Sequence, residues 1–520
     1  MADLQKHNIS SQMDRLRDAS GFALIFGAMV TVITIQLIRT WWRLRHIPGP
    51  FLASLTNIQR VWWVKTKRAH LIHQQMHEKY GDVVRFGPNM VSISDPSVIS
   101  TVYPIRPGFP KSDFYKVLMP YTKQGALPAV FNTRDEKLHK QIKSPIAPLF
   151  SLSNAVTFES FIDEVLEVLC RQIDQRYIGS QDIVDLGNWL QYFAFDVMGT
   201  MTFSKRYGFL EQGQDVGGML ETIWEYMRTT APVTQIPWYD EWWNKNPWIA
   251  MWRQPFGFSI LKIVGDNISR RLSEKDGGGA ESTNQLNNRD MLSRFMEIQS
   301  TNESIPPWSV TAWTFSNVIA GSDSTAAILH CVWYNLLAHP VTLDRLHAEL
   351  LAAEQAQAIT RPFPKWSEVC DLPYLDACIN EAVRLHPPFC LPFERVVPEG
   401  GVEICGHFFK GGTVVGMSPY VANRHRGTWG EESNLWRPER WLNLGEEEHR
   451  ILEQSMLTFG AGRRVCLGKH IAMLEMKKLV PALVLAYKIE LVDPAAFKVE
   501  NSWFFRQKGL GVRIKRHTEA

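Results

Sequence analysis

Cysteine and net charge are both low in this sequence. Only seven of the 520 residues are cysteine, and no two of them have the Cys-x-x-Cys spacing. An odd number of widely spaced cysteines argues against a disulfide framework and a zinc cluster, and indicates a reducing compartment. The formal net charge of +3 is too small to indicate a protein that binds nucleic acid.

The sequence also lacks internal repeats and the strand–helix alternation of a parallel α/β sheet. What is present is mostly helical periodicity of apolar residues, with a few short segments typical of strands. The pattern therefore predicts a mainly α fold with a minor β portion. Helices are predicted at Arg134 to Phe150, Asn154 to Ile173, Leu186 to Met201, Ser309 to Ala338 and Pro373 to His386. Strands are predicted at Val83 to Ile93, as a hairpin, and at Val402 to Phe409 and Trp503 to Ile514.

The N-terminal region contains one uncharged apolar run, Gly21 to Ile38. Its 18 residues are just enough to span a bilayer. Trp41 and Trp42 follow among arginines, as at a membrane interface. The run thus predicts a transmembrane anchor after an N-terminal segment, 1–20. A buried helix is the alternative, whereas a cleaved signal peptide would be shorter.

A basic linker and a proline-rich hinge, 39–50, follow the anchor and end in Ile47-Pro48-Gly49-Pro50. The remaining residues, 51–520, are predicted to form the catalytic body. The basic residues beside the apolar run leave its orientation open, because three lie on each side. The sequon at Asn8 would be glycosylated only if the N-terminus were lumenal.

Cys466 lies in the most informative segment of the chain, Phe459 to Gly468. Glycines there allow sharp turns, and a predicted helix follows at once. Backbone N–H groups and the helix N-terminus would stabilise a thiolate, the ligand with which haem iron cleaves O–O bonds. A buried structural cysteine in a turn is the alternative. The spacing Phe-x-x-Gly-x-Arg-x-Cys-x-Gly resembles the haem-binding loop of cytochromes P-450.

The resemblance to cytochromes P-450 covers the chain from about Ile47 to the C-terminus and implies that family's fold. It also implies haem b as cofactor, with Cys466 as axial ligand and Phe459 and Gly468 beside it. Glu-x-x-Arg alone is common on exposed helices, but here Leu-His-Pro-Pro follows it, as in the family's K-helix motif. The segment Trp436-Arg437-Pro438-Glu439-Arg440-Trp441 resembles the family's Pro-Glu-Arg segment. Together the two resemblances imply a buried structural triad of Glu381, Arg384 and Arg440.

A second family motif lies within the long predicted helix, where Ala320-Gly321-Ser322-Asp323-Ser324-Thr325 resembles the I-helix sequence. A tolerated bend at a helix contact is the alternative. By the resemblance, Asp323 is the acid and Ser324 the alcohol of a proton relay to dioxygen, with Thr325 beside them. The family prefers threonine at the position of Ser324. Serine lacks the methyl group of threonine, so its side-chain rotamer is less restricted.

Four cationic or potentially cationic residues are candidates for binding the haem propionates: Arg464, Arg395, His139 and Lys143. The family usually has tryptophan and arginine at the last two positions, so the chain departs from the pattern there. Ordinary solvated side chains are the alternative for both. The basic surface around Lys137 and Lys140 could dock an acidic flavoprotein reductase.

An apolar substrate pocket is also implied by the resemblance. Its expected residues are Trp313, Ser316, Asn317, Ala320, Pro392, Phe393, Trp503 and Phe504. The segment Pro237 to Trp252 contains five tryptophans, typical of an interface that is apolar on one side and wet on the other. Its position before the long helix matches the region that covers the substrate channel in the family. Core packing is the alternative for that segment.

The expected function is that of a haem-thiolate monooxygenase acting on a lipophilic small molecule. Because nothing in the sequence resembles a flavin or ferredoxin domain, NADPH would supply electrons through a reductase. Three shorter stretches resemble the fungal secondary-metabolism group around pisatin demethylase: Phe51 to Ala53, Phe150 to Asn154 and Glu394 to Gly401. The resemblance also implies an endoplasmic-reticulum membrane with a cytosolic catalytic domain. Oxidative coupling, desaturation or isomerisation on the same fold, or non-catalytic haem binding, are the alternatives.

Overall fold

The computed structural model describes Leu24 and residues 26–122, 125–250, 258–276 and 290–517. The predicted N-terminal segment, the beginning of the predicted anchor and Trp252 lie outside these residues. Within them the fold is mainly helical with a minor β portion, as predicted.

Helices form most of the structure, and they range from single turns to a central helix of 30 residues. They are α1 (26–43), α2 (Phe51–Leu55), α3 (Ile58–Lys65), α4 (Ala69–Tyr80), α5 (Ile99–Val102), α6 (Phe114–Val117), α7 (Glu136–Lys143), α8 (Leu152–Val156), α9 (Glu159–Tyr177), α10 (Leu186–Phe203), α11 (Phe209–Gln212), α12 (Met219–Val233), α13 (Pro237–Tyr239), α14 (Pro247–Ala250), α15 (Phe258–Asp276), α16 (Met291–Ser300), α17 (Ser309–Ala338), α18 (Pro340–Gln355), α19 (Trp366–Val369), α20 (Pro373–Leu385), α21 (Pro419–Ala422), α22 (Arg426–Trp429), α23 (Glu446–Ser455) and α24 (Lys469–Ala486).

The strands form small sheets at the edge of the helical body. They are β1 (Val83–Gly87), β2 (Met90–Ile93), β3 (Tyr121–Thr122), β4 (Gly125–Ala126), β5 (Val184–Asp185), β6 (Arg395–Val396), β7 (Val402–Ile404), β8 (His407–Phe409), β9 (Val414–Gly416), β10 (Tyr487–Leu491), β11 (Lys498–Asn501), β12 (Phe505–Lys508) and β13 (Gly511–Arg516). One sheet has the order β1-β2-β9-β6 and another β10-β13-β5. The pairs β3-β4, β7-β8 and β11-β12 stand alone.

The main hydrophobic core lies around α17, with α9, α10, α20 and α24 packed against it or against one another. Most side chains of α17 and α24 are buried, which fits the mostly apolar sequence of both helices. This arrangement brings α17 and the start of α24 to one interior space, where the candidate site lies.

The sequence predicted the element types more reliably than their ends. The hairpin at Val83–Ile93 and the helix Ser309–Ala338 are both present. The helix predicted from Arg134 to Phe150 instead ends at Lys143. Pro145 and Pro148 lack the backbone N–H that a continuing α-helix requires, and only a 3₁₀ turn follows.

A similar break divides the helix predicted from Asn154 to Ile173 into α8 and α9. Phe158, at the junction between the two helices, is fully buried in the core.

The helix α1 carries large apolar side chains that are exposed, among them Phe26, Ile33 and Ile38. By length and composition, no single described helix is sufficient to cross a membrane. The pair α17 and α18, bent by 103°, passes that test only when the two helices are taken together.

Candidate active site

The loop that carries Cys466 has a backbone that requires glycine. Gly462 has φ +60°, and a Cβ there would lie 2.1 Å from the carbonyl oxygen of Tyr103. The backbone N–H of Cys466 donates to Phe459 O at 2.8 Å and closes the loop. The helix α24 then begins at Lys469. The sequence motif thus reflects a tight, specific turn.

The sulfur of Cys466 faces an interior cavity. Protein surrounds the Cys466 side chain, and its accessible surface borders this space. Burial within the protein raises the pKa of the Cys466 thiol, while backbone N–H groups of Gly468 and Lys469 oppose that shift. These N–H groups are placed to stabilise a thiolate.

The cavity has a volume of about 350 Å³ and a mostly apolar lining. Of the predicted pocket residues, all but Pro392 line it: Trp313, Ser316, Asn317, Ala320, Phe393, Trp503 and Phe504. Pro388 and Phe389 contribute where Pro392 was expected. The indole N–H of Trp313 donates to Ile142 O at 2.9 Å, which fixes that ring in the wall.

Several basic side chains line the cavity or lie near it. Arg464 and Arg395 line it, and so does His139, which is buried. Burial and the neighbouring charges, Arg464 and Lys143 first, lower the pKa of His139 to about 3, so the ring is neutral near pH 7. Lys143 does not line the cavity, and its Nζ donates to Arg463 O at 2.7 Å.

The sequence did not indicate Lys111, a further cation in this cluster. A β-bridge to Arg395 places it beside the cavity, where its ammonium nitrogen lies 4.0 Å from the ring centre of Tyr115. Burial, and then the charges of Arg395 and Arg464, lower the pKa of Lys111 well below its usual value. Glu136 accepts a hydrogen bond from Arg464 at 2.5 Å, and its negative charge opposes this lowering of the Lys111 pKa.

The predicted triad is assembled and buried. Arg384 donates to both carboxylate oxygens of Glu381, at 2.7 and 2.9 Å, and Arg440 Nε donates to Glu381 Oε1 at 2.9 Å. Trp441 completes the carboxylate's shell with its indole N–H at 3.0 Å. Because Glu381 and Arg384 are both fully buried, each depends on the other for compensation of its charge.

On α17 the predicted relay residues point in different directions. Ser324 and Thr325 line the cavity, whereas Asp323 does not. The hydroxyl of Ser324 donates to Ala320 O at 2.5 Å within the helix. Asp323 instead accepts from the side-chain amide of Gln191 on α10, at 2.9 Å. Burial raises the pKa of Asp323 to about 7.

Glu475 on α24 also lines the cavity and was not found from the sequence. It is fully buried, neither carboxylate oxygen has a hydrogen-bond partner among the described residues, and burial raises its pKa well above the usual value. Only the packing of α24 could reveal it, since a glutamate in a helix carries no local signal.

Comparison with known proteins agrees with this geometry. The family model described as cytochrome P450 matches residues 48–513. The chain belongs to the cytochrome P450 family. A cytochrome P450 monooxygenase of Aspergillus flavus is 56% identical over 95% of the chain and 97% of its own length. The cytochrome P450 monooxygenase pkfB of Emericella nidulans is 58% identical, over 96% and 95% respectively.

A further relative, the cytochrome P450 monooxygenase mpaDE of Penicillium brevicompactum, is 56% identical over 94% of the chain, but the match covers only 57% of mpaDE. The chain is therefore an enzyme of the cytochrome P450 monooxygenase type. In this family a cysteine thiolate ligates haem iron, as the sequence motif implied.

Proposed function

We propose that the protein binds haem b through Cys466 and oxidises a lipophilic small molecule, with electrons that NADPH provides through a flavoprotein reductase. The observation that carries the proposal is Cys466, which lines a mostly apolar cavity together with residues of α17. The balanced reaction takes RH, O₂, NADPH and a proton to ROH, water and NADP⁺. Bound haem supplies the reduction and cleavage of dioxygen, which a thiolate ligand favours.

The residues around the cavity fit haem b in two respects. A cysteine sulfur with N–H donors beside it suits iron, and the cluster of Lys111, Arg395 and Arg464 suits the two propionate carboxylates. These basic groups repel one another, since the charges of Arg395 and Arg464 help to lower the pKa of Lys111, and an anionic ligand would compensate that repulsion. Lys143 does not line the cavity, and it stabilises the cysteine loop through its hydrogen bond to Arg463 O.

The protein's own side chains have distinct tasks in this proposal. The aromatic and aliphatic lining binds and orients the substrate and limits water in the cavity. Ser324 and Thr325 hold protons at hydroxyl groups that face the reacting centre. Asp323, with a pKa of about 7, supplies those hydroxyls with protons from the α10 side.

The apolar lining of the cavity indicates a lipophilic substrate. The relatives indicate the kind of metabolism from which that substrate comes. The relatives named above come from fungi. We propose an intermediate of fungal secondary metabolism, of the kind that the pisatin demethylase resemblance implied. Metabolite profiling of a strain that lacks the gene, compared with one that expresses it, would identify the accumulated precursor.

We further propose that the N-terminal helix anchors the enzyme in the endoplasmic-reticulum membrane, with a cytosolic catalytic domain. Support comes from the exposed apolar side chains of α1. Trp238, Trp242 and Trp248 are exposed as well, in the tryptophan-rich segment that was expected to touch a membrane. Such exposed aromatic and apolar groups suit an interface between lipid and water.

The activity is tested with full-length protein, reductase, NADPH and labelled dioxygen, using the precursor that profiling identifies. One labelled oxygen atom in the product supports monooxygenation. A product without label supports coupling, desaturation or isomerisation, and no NADPH consumption supports a binding protein. Each result therefore separates the proposal from the alternatives raised by the sequence.

A further inference from the structure

A polar pair lies in the middle of the contact between α10 and α17. Gln191 Nε2 donates to Asp323 Oδ1 at 2.9 Å, while Asp323 Oδ2 is buried without a hydrogen-bond partner among the described residues. A buried carboxylate oxygen without a partner is costly, so the neutral, protonated acid is favoured. The pair therefore needs an explanation beyond packing.

The packing of the two helices fixes this pair. A Cβ at Gly187 on α10 would lie 2.6 Å from His330 Nε2, and one at Gly321 on α17 would lie 2.6 Å from Met198 Sδ. The two helices thus run antiparallel and in close approach on both sides of the Gln191–Asp323 contact.

Gln191 also stands at the boundary between solvent and the buried interface. It is half-buried, whereas every following residue of α10, from Tyr192 to Phe203, is buried. Asp323, in turn, directly precedes Ser324, which lines the cavity. Neither Gln191 nor Asp323 lines the cavity, so their contact lies outside its lining.

We propose that Gln191 is a positioning residue for proton delivery, which holds the Asp323 carboxyl at the α10–α17 contact and connects it to solvent. The inference rests on the proposed role of Asp323 as proton donor. In each turnover Asp323 gives its proton to Ser324 or water in the cavity, and that proton ends in the water product. Solvent at the Gln191 side then returns a proton to the carboxylate.

The charges that face Asp323 give the expected direction of a pH effect. The amide N–H of Gln191 favours the ionised carboxylate, as does the more distant Arg506 on β12, while burial opposes both and raises the pKa to about 7. Glu221 on α12 accepts from Arg506 at 2.8 Å and compensates part of that charge. Loss of the Gln191 amide therefore raises the pKa of Asp323, and a cation in its place lowers it.

The test is an infrared pH titration of the full-length ferric holoenzyme, with the protonated carboxyl band assigned by its loss in Asp323→Asn. We expect Gln191→Leu to move the midpoint up by roughly one pH unit, and Gln191→Lys to move it down. Thr202→Val is the matched control, because Thr202 Oγ1 accepts from Asn317 at 2.8 Å in the same helix contact. Its midpoint should equal that of the wild type.

A second readout is the pH dependence of hydrogen peroxide formed per NADPH oxidised with reductase, which should move with the infrared midpoint. Equal midpoints in wild type, Gln191→Leu and Gln191→Lys would overturn the inference. If Asp323→Asn leaves the peroxide profile of the wild type unchanged, the proposed role of Asp323 is itself wrong. If Gln191→Leu does not bind haem, Gln191→Glu, which also raises the pKa of Asp323, takes its place.

Discussion

Asn423 and Thr458 are joined by a hydrogen bond of 2.8 Å between Nδ2 and Oγ1, and this contact links the buried triad to the cysteine loop. The same amide also donates to Arg384 O, and Asn423 Oδ1 accepts from the backbone N–H of Leu457. Asn423 is fully buried. One side chain therefore transmits the position of Arg384 to the residues immediately before Phe459.

Asn423→Ala should yield protein with less haem and a lower melting temperature. The change leaves the Leu457 N–H and the Arg384 carbonyl without this partner, whereas the Thr458 hydroxyl still donates to Val383 O. Each buried unpaired group costs about 1–3 kcal/mol. The measurement is haem content per polypeptide together with thermal unfolding. Asn434→Ala, at an exposed position, is the control and should match the wild type. Equal haem content in the two variants would remove Asn423 from this role.

Arg440→Ala should prevent most haem incorporation, whereas Arg437→Ala should not. Arg440 pairs with fully buried Glu381, so its loss leaves a buried charge with less compensation, at a cost of about 3–5 kcal/mol. Arg437 is three residues earlier, and its exposed side chain pairs with Glu432, a contact worth little. The measurements are haem content and the yield of soluble protein for each variant. Similar values for Arg440→Ala and Arg437→Ala would contradict a structural role for the triad.

The sequence predicted the local motifs of the site but not what connects them. Cys466, Glu381 with Arg384, Arg440 and the residues on α17 each lie in a short motif, and the resemblance of these motifs to those of the family located them. Asn423, Gln191 and Lys111 act through contacts between distant segments, which a single sequence does not reveal. The prediction that Pro392 lines the pocket was off by a few residues for the same reason, because the course of a loop depends on tertiary packing.

Ser324→Ala should release more hydrogen peroxide per NADPH oxidised, because a hydroxyl that faces the cavity is lost from the proton path. Ser322→Ala is a matched control on the same helix. Its hydroxyl makes the same type of bond, to Val318 O at 2.9 Å, but the residue does not line the cavity. Ser324→Thr should keep the coupling of the wild type. If the two alanine variants released equal peroxide, Thr325 or water would carry the proton.

Deletion of residues 1–38 should release the enzyme from membranes and preserve haem binding. The cut should not extend further, because Arg85 donates to Thr40 O at 2.9 Å and to Trp41 O at 3.0 Å, and Leu44 is buried. Fractionation of cell extracts, with haem content measured in each fraction, tests this. Full-length protein found wholly in the soluble fraction would contradict the anchor.

The carbon monoxide difference spectrum of reduced, full-length protein tests the central claim most directly. The wild type should give the band of a haem with a thiolate ligand. Cys466→Ala should lose it, while Cys405→Ala, which removes a half-buried cysteine outside the cavity lining, should keep it. A thiolate-type band that persists in purified Cys466→Ala would contradict the account, because the iron would then have another ligand.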